Sequence, residues 1–314
     1  MTLVYEPKPE AADDAARAAA AATRALLARQ QADGHWVFEL EADATIPAEY
    51  VLLRHYRGEP VDAELERKIA VYLRRIQGAH GGWPLYHLGD FDISASVKAY
   101  FALKMIGDSP QAAHMARARE AILARGGAVN SNVFTRVLLS LYGILPWRSV
   151  PEMPVEITLL PRWFPFHLTK VSYWARTVLV PLLVLQALKP KAKNPRGVAI
   201  DELFIGDPRK TGAARKAPHQ SWLWFSLFAG IDAVLRPGVR VIPKRLRARA
   251  IARAVAFVSE RLNGQDGLGA IFPAMANSVL MYDVLGDARS AAIARDSVER
   301  LLVVKDEEAY CQPC

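Results

Sequence analysis

The chain has 314 residues, 52% of them hydrophobic and 23% charged, which suits one large domain or two ordinary ones and excludes wholesale disorder. An excess of 40 Lys and Arg over 32 Asp and Glu gives a formal net charge of +8, a balance that points to nucleic acid or to anionic lipid. Two cysteines, Cys311 and Cys314, exclude a disulfide framework and make a reducing compartment the default.

Residues 1–20 are acidic at Glu6, Glu10, Asp13 and Asp14 and then Ala-rich. They lack the basic start and apolar stretch of a secretion signal, so an N-terminal tail or helix and a cytoplasmic location are expected. Residues 21–303 read as one domain of helical hairpins, because a turn recurs along them. Gln31-Ala-Asp-Gly-His-Trp36 closes one helix-like stretch and Gln77-Gly-Ala-His-Gly-Gly-Trp83 another, their tryptophans 47 residues apart. A degenerate copy reaches Gly127, and a clearer one spans 261–269, with Gln265 in the glutamine place and Leu268 in the tryptophan place. Repeats of ~40–47 residues suit a two-helix unit that buries its apolar face by stacking on a neighbour.

Between the turns, Ile46, Tyr50, Leu53 and Tyr56 fall at steps of four and three, as do Val97 and Phe101 with Leu103 and Ile106 nearby. Gly58, Gly107 and Gly143 stop their helices. No alternating β-type run competes. The fold expected is all-α, an α/α barrel, or toroid, of helical hairpins. Five prolines at 146, 151, 154, 161 and 165 forbid a continuous helix there; this excursion reads equally as a functional element or a structural strap. The longest apolar run, 178–188, is broken by Pro181 and Gln186 and falls short of the ~20 residues a membrane span needs.

Residues 221–235 hold Trp222, Trp224, Phe225 and Phe228, too few residues to span a bilayer but apt for lying in an interface. Lys210, Arg215 and Lys216 precede them, and Arg236, Arg240, Lys244, Arg245, Arg247 and Arg249 follow. Attraction to anionic headgroups, ~1 kcal/mol per cation, accounts for the excess charge; a buried helix beside a solvated basic one is the alternative. Nucleic acid is not expected, because no motif of that kind accompanies the charges. Cys311-Gln-Pro-Cys314 has the spacing of a redox or half-zinc motif, but with no second Cys or His pair nearby two ordinary cysteines is the stronger reading. The seven His show no zinc grouping of the kind a protein prenyltransferase needs, and no cofactor is expected.

The Gln-Trp turns, together with Leu40-Glu-Ala-Asp-Ala-Thr-Ile-Pro-Ala-Glu49, Phe91-Asp-Ile-Ser-Ala-Ser-Val-Lys-Ala-Tyr100, Phe134-Thr-Arg136 and Tyr173-Trp-Ala-Arg176, resemble squalene-hopene cyclase from about residue 20 onward. The resemblance implies cyclisation of squalene to hopene or hopanol, in hopanoid biosynthesis, at the cytoplasmic face of a membrane to which the protein is peripherally, monotopically bound. It further implies that a second barrel carries an Asp-x-Asp-Asp-Thr string whose middle Asp protonates the substrate. This chain holds no such string; Asp90-Phe-Asp92-Ile-Ser94 is a decoy in which Asp92 or Ser94 caps a helix. Residues 304–314 are expected to begin the connection to that second, catalytic half, present in cis or in trans. A truncated chain, a broken gene and a subunit of a split enzyme all stay open, as does a lipid-binding or assembly subunit without catalysis of its own.

By resemblance, Trp174 and the string Ile271-Phe272-Pro273 line the cavity, with Phe134 as a further candidate. Core aromatics are the plainer reading of Trp174 and Phe134. Phe272 departs from the glutamine frequent at its place.

Overall fold

The computed structural model describes residues 9–38, 40–212, 221–263 and 267–312. They belong to two compact units, Met1–Leu40 and Glu41–Cys314. The first Gln-Trp turn packs with the helix before it.

In the first unit, α1 (Pro9–Leu27) is built from alanines, the best helix formers, behind a proline at its first position. Arg17 pairs with Asp13 and Asp14 one turn back. The turn that follows is held by side chains: Trp36 Nε1 donates to the Leu26 carbonyl at 2.7 Å, and Gln30 Nε2 to the Gly34 carbonyl at 2.6 Å. The glutamine serving the turn is therefore Gln30, not the expected Gln31, which contributes only its backbone groups. Exposed Val37 and Phe38 follow.

The second unit repeats the device with a buried tryptophan. Trp83 is inaccessible to solvent and donates from Nε1 to the Leu73 carbonyl at 2.7 Å, one of the last carbonyls of α3 (Ala63–Arg75), which have no partner within the helix. Gln77 Nε2 donates to the Gly81 and His114 carbonyls at 2.7 and 2.9 Å. Gln77 stands six residues before Trp83, as Gln30 does before Trp36; that register separates Gln30 from Gln31. In the later copy Leu268 is buried in the tryptophan place, and Gln265 lies outside the described residues.

The helices sort into two layers by how they bury. Inner helices α2 (Thr45–Arg57), α4 (Ile93–Ile106), α6 (Val133–Leu141), α7 (Tyr173–Leu188) and α10 (Phe272–Leu285) bury residues all round; α4 buries every side chain from Ser94 to Leu103. Outer helices α3, α5 (Ala113–Ala124), α9 (Lys244–Ser259) and α11 (Ala288–Glu299) bury one stripe, such as Met115, Ala118 and Ile122 on α5 or Ala250, Ala254 and Val258 on α9. Packing follows the chain: α2 on α4, α4 on α6, α7 on α10, with α3, α5, α9 and α11 outside their neighbours. Ion pairs close the ring between its last hairpin and its first. Arg57 Nε reaches Asp283 at 2.6 Å, Arg295 clasps Glu59 at 2.9 and 2.6 Å, and Tyr50 donates to Glu299 at 2.7 Å. This is the α/α toroid.

No outer helix follows α6. The proline-rich excursion takes that place: Val155–Leu159 packs on α9 and α7, Thr158 donates to the Ala250 carbonyl at 3.2 Å, and the buried Gln186 amide on α7 donates to the Pro151 carbonyl at 2.6 Å. The excursion is thus a strap over 151–159, while Trp163 and Phe166 beyond it are exposed. Pro181 and Gln186 do not break α7, which runs through both.

A strap over 189–200 caps the C-terminal ends of the inner helices. Lys193 and Asn194 donate backbone amides to the Tyr56 and His55 carbonyls, Ala192 to Leu141, and Arg196 donates to Met105. Among the described residues there is one small sheet: β1 (Leu302–Val304) pairs antiparallel with β2 (Ala309–Cys311). Three residues each are too short to show alternation, and Tyr310, stacked on Tyr72 at 5.3 Å, fixes the hairpin on α3. Ala309–Cys311 is therefore packed on the barrel, while residues 304–307 are exposed. Burial pushes the Cys311 thiol up, which suits an inert packed side chain; Cys314 lies outside the described residues.

Candidate active-site cavity and exposed apolar surface

The inner helices all start at one end of the ring. Ser94 at the start of α4 accepts from the Asn132 amide at the start of α6, 2.9 Å away, and a Cβ on Gly269, before α10, would sit 3.3 Å from the Trp174 ring at the start of α7. The strap over 189–200 closes the other end. The bore between them is a cavity of about 350 Å³, within the range of small-ligand sites.

Its wall is apolar, with Leu52, Leu53 and Tyr56 from α2, Val137, Leu138 and Leu141 from α6, Leu182 from α7 and Leu280 from α10. Three of the expected residues, Phe134, Phe272 and Pro273, line it. Phe272 is buried, while Phe134 is 48% exposed at the mouth. Trp174 and Ile271 are not part of this lining. Trp174, 54% exposed, lies beside the mouth against Gly269, with Tyr173 in edge contact at 6.1 Å. Ile271 is half-buried with extended backbone and precedes the first turn of α10. Trp174, Tyr173, Phe134 and Pro273 thus give an exposed, largely aromatic rim around the start of the inner helices.

Sequence reasoning missed the polar pair in the bore. Glu49 on α2 and Lys98 on α4 both face the cavity and form an ion pair. Glu49 is the one carboxylate among the described residues that line it. It is engaged by the Lys98 ammonium, and no second carboxylate stands beside it among the described lining residues. The signal was present: Thr45, Ile46, Glu49, Leu52, Leu53 and Tyr56 form one stripe at steps of three and four, with a single charge in it. The Tyr56 phenol is pushed up to about 12 by burial and by Asp283, leaving a neutral ring against the cavity. Asp92, the decoy, caps α4 by accepting from the Ala95 amide at 2.8 Å.

The second candidate surface is α8 (Trp222–Val241), which has no buried residue. Trp222, Trp224 and Phe228 are 70%, 57% and 52% exposed, and Phe225 is half-buried. The C-terminal half of α8 is tied down where Asp232 accepts from the Glu152 amide and from Arg236, both at 2.7 Å. Of the flanking cations, Arg236 and Arg247 are paired with carboxylates, Arg240, Lys244, Arg245 and Arg249 are exposed, and Arg215 and Lys216 lie outside the described residues. Among the described residues no helix is long and apolar enough to cross a membrane.

The family model of the squalene-hopene cyclase N-terminal domain matches residues 19–307. The chain is 66% identical over 298 residues to a probable squalene-hopene cyclase of Sinorhizobium fredii, covering 94% of this chain and 46% of that protein. It is 65% identical to the squalene-hopene cyclase of Bradyrhizobium diazoefficiens, covering 94% and 45%, and 33% identical to that of Alicyclobacillus acidocaldarius, covering 83% and 40%. The chain therefore spans about half the length of the curated relatives it matches. With the toroid, its Gln-Trp turns and its apolar bore, these matches establish that the chain belongs to the squalene-hopene cyclase family, as its N-terminal domain.

Proposed function

We propose that this chain supplies one wall of a squalene-cyclising chamber and the membrane contact of the enzyme, while the proton donor comes from residues beyond it, in the same polypeptide or in a partner. Ring closure of a polyene needs a strong acid at one end and, along the path, electron-rich faces that stabilise a migrating cation without capturing it. Aromatic rings do this at about 0.5–2 kcal/mol each when desolvated. The rim of Trp174, Tyr173 and Phe134 and the bore lined by Phe272 and Tyr56 have that chemistry. Excluding water then prevents early quenching, and a rim half open to solvent needs a cover to do so.

The single observation that carries this reading is the ion-paired state of Glu49, the one carboxylate lining the apolar bore among the described residues. The test is incubation of the purified chain with squalene in detergent, with and without the remaining half of a homologous cyclase. No cyclic product alone and hopene on complementation are expected; hopene from the chain by itself overturns the assignment. A substrate dissolved in lipid also requires docking, and we assign that to α8, whose exposed aromatics and basic flank suit peripheral attachment at the cytoplasmic face.

A further inference from the structure

Arg136 lies on the face of α6 that points away from the bore. The residue is 6% exposed, and its Nε is buried with no hydrogen-bond partner. No hydrogen bond or ion pair of the guanidinium occurs among the described residues. Burial alone lowers its pKa from the ordinary arginine value, with no carboxylate to oppose it. A buried cation with no counter-charge costs free energy that only an anion returns.

The guanidinium lines a pocket of about 330 Å³, separate from the bore, walled by the loop 204–212 and Val129. That loop is a fixed structure. Arg148 donates to the Arg209 and Thr211 carbonyls at 2.7 and 3.2 Å, and a Cβ on Gly127, at φ 80°, would meet the Leu203 carbonyl at 2.8 Å. The charged groups facing the pocket are Arg136, Lys210 and Asp207. Asp207 Oδ1 is engaged by the Arg209 amide at 2.9 Å, so two cations stand against one occupied carboxylate. We infer that this pocket binds a phosphate-type oxyanion, as the free anion or as the phosphomonoester headgroup of a lipid, with Arg136 as its principal ligand and Lys210 beside it. Guanidinium is suited to that geometry because it offers parallel donors to two oxygens.

Thermal unfolding and titration calorimetry of the chain with inorganic phosphate, against chloride at equal ionic strength, test the site. A saturable phosphate-specific rise in the unfolding midpoint is expected. Arg136→Met loses that rise and, in chloride, unfolds no earlier than the wild type, since an unpaired buried charge has been removed. Arg136→Lys, which keeps the charge and shortens the reach, weakens phosphate on the order of tenfold. Lys210→Ala weakens it about two- to fivefold. Phosphatidylcholine vesicles doped with phosphatidic acid, or with phosphatidylglycerol at equal charge, separate the sources. A preference for phosphatidic acid that Arg136→Met abolishes assigns the headgroup; unchanged sedimentation with an intact response to inorganic phosphate assigns the free anion. Equal effects of phosphate and chloride on the wild type, or wild-type phosphate affinity in both Arg136 variants, overturn the proposal.

Discussion

Lys98 occupies a place where only a charge already matched can sit. It is a lysine on a helix buried all round, 8% exposed at its side chain, and its ammonium is answered by Glu49 across the bore. Removing one partner strands the other in an apolar wall, which is worse than having neither. Lys98→Met is therefore expected to destabilise the domain by about 1–3 kcal/mol. The double replacement Glu49→Leu with Lys98→Met should fall close to the wild type. Urea unfolding of the three variants checks this, and a double variant at least as weak as Lys98→Met would show that the pair contributes more than mutual compensation. The same logic distinguishes Arg136, a buried cation with no carboxylate opposite it, from Arg57 and Arg295, whose acceptors lie at ordinary hydrogen-bond distances.

At the scale of elements, α8 departs from the rule that a helix buries a face. Its Trp222, Leu223, Trp224 and Phe228 are all exposed while its C-terminal half is pinned through Asp232 and Arg236 to the strap before α7. Replacing Trp222, Trp224 and Phe228 with Ser should leave the unfolding midpoint within about 0.5 kcal/mol of the wild type, because surface positions carry little folding energy. Sedimentation with anionic liposomes should fall severalfold, and rising salt should weaken it in the wild type. Unchanged sedimentation would remove α8 as the attachment element. The outer layer is less uniform than its helices suggest, since the proline-rich strap substitutes for one of them: its Met153 amide and Pro151 carbonyl bond to Gln186 on α7, and its Thr158 hydroxyl donates to the Ala250 carbonyl on α9.

For the whole molecule, the ring depends on contacts between its first and last hairpins. Glu59, beside the cap of α2, accepts from Arg57 and Arg295, and Asp283 and Glu299 hold Arg57 and Tyr50. Glu59→Gln should cost about 2 kcal/mol by weakening charge-assisted bonds that no local helix replaces. If the ring acts as one cooperative body, the loss should appear as a lower midpoint with an unchanged slope in denaturant. A change of slope would instead mean that the α10–α11 hairpin loosens by itself. The bore is a property of this closure: none of its lining helices encloses anything alone.

The amino-acid sequence by itself determined the repeating turns, the helical hairpins and the family, because each rests on local information. Gly58 at φ 64° and a tryptophan that reaches its own preceding helix need no distant partner. Phe134, Phe272 and Pro273 drew notice through their motifs, and in the structure they line the apolar bore. Gln30 was obscured by the glutamine next to it, and only the six-residue register to the tryptophan, seen in the hydrogen bonds, chose between the two. The tertiary structure alone decided which stripe of α2 faces the bore, that Glu49 meets Lys98, that three-residue segments at 302–311 pair as strands on α3, and that Arg136 is buried without a counter-ion. Periodicity states that a helix has a face to bury, but what covers that face is fixed by packing between segments far apart in the chain.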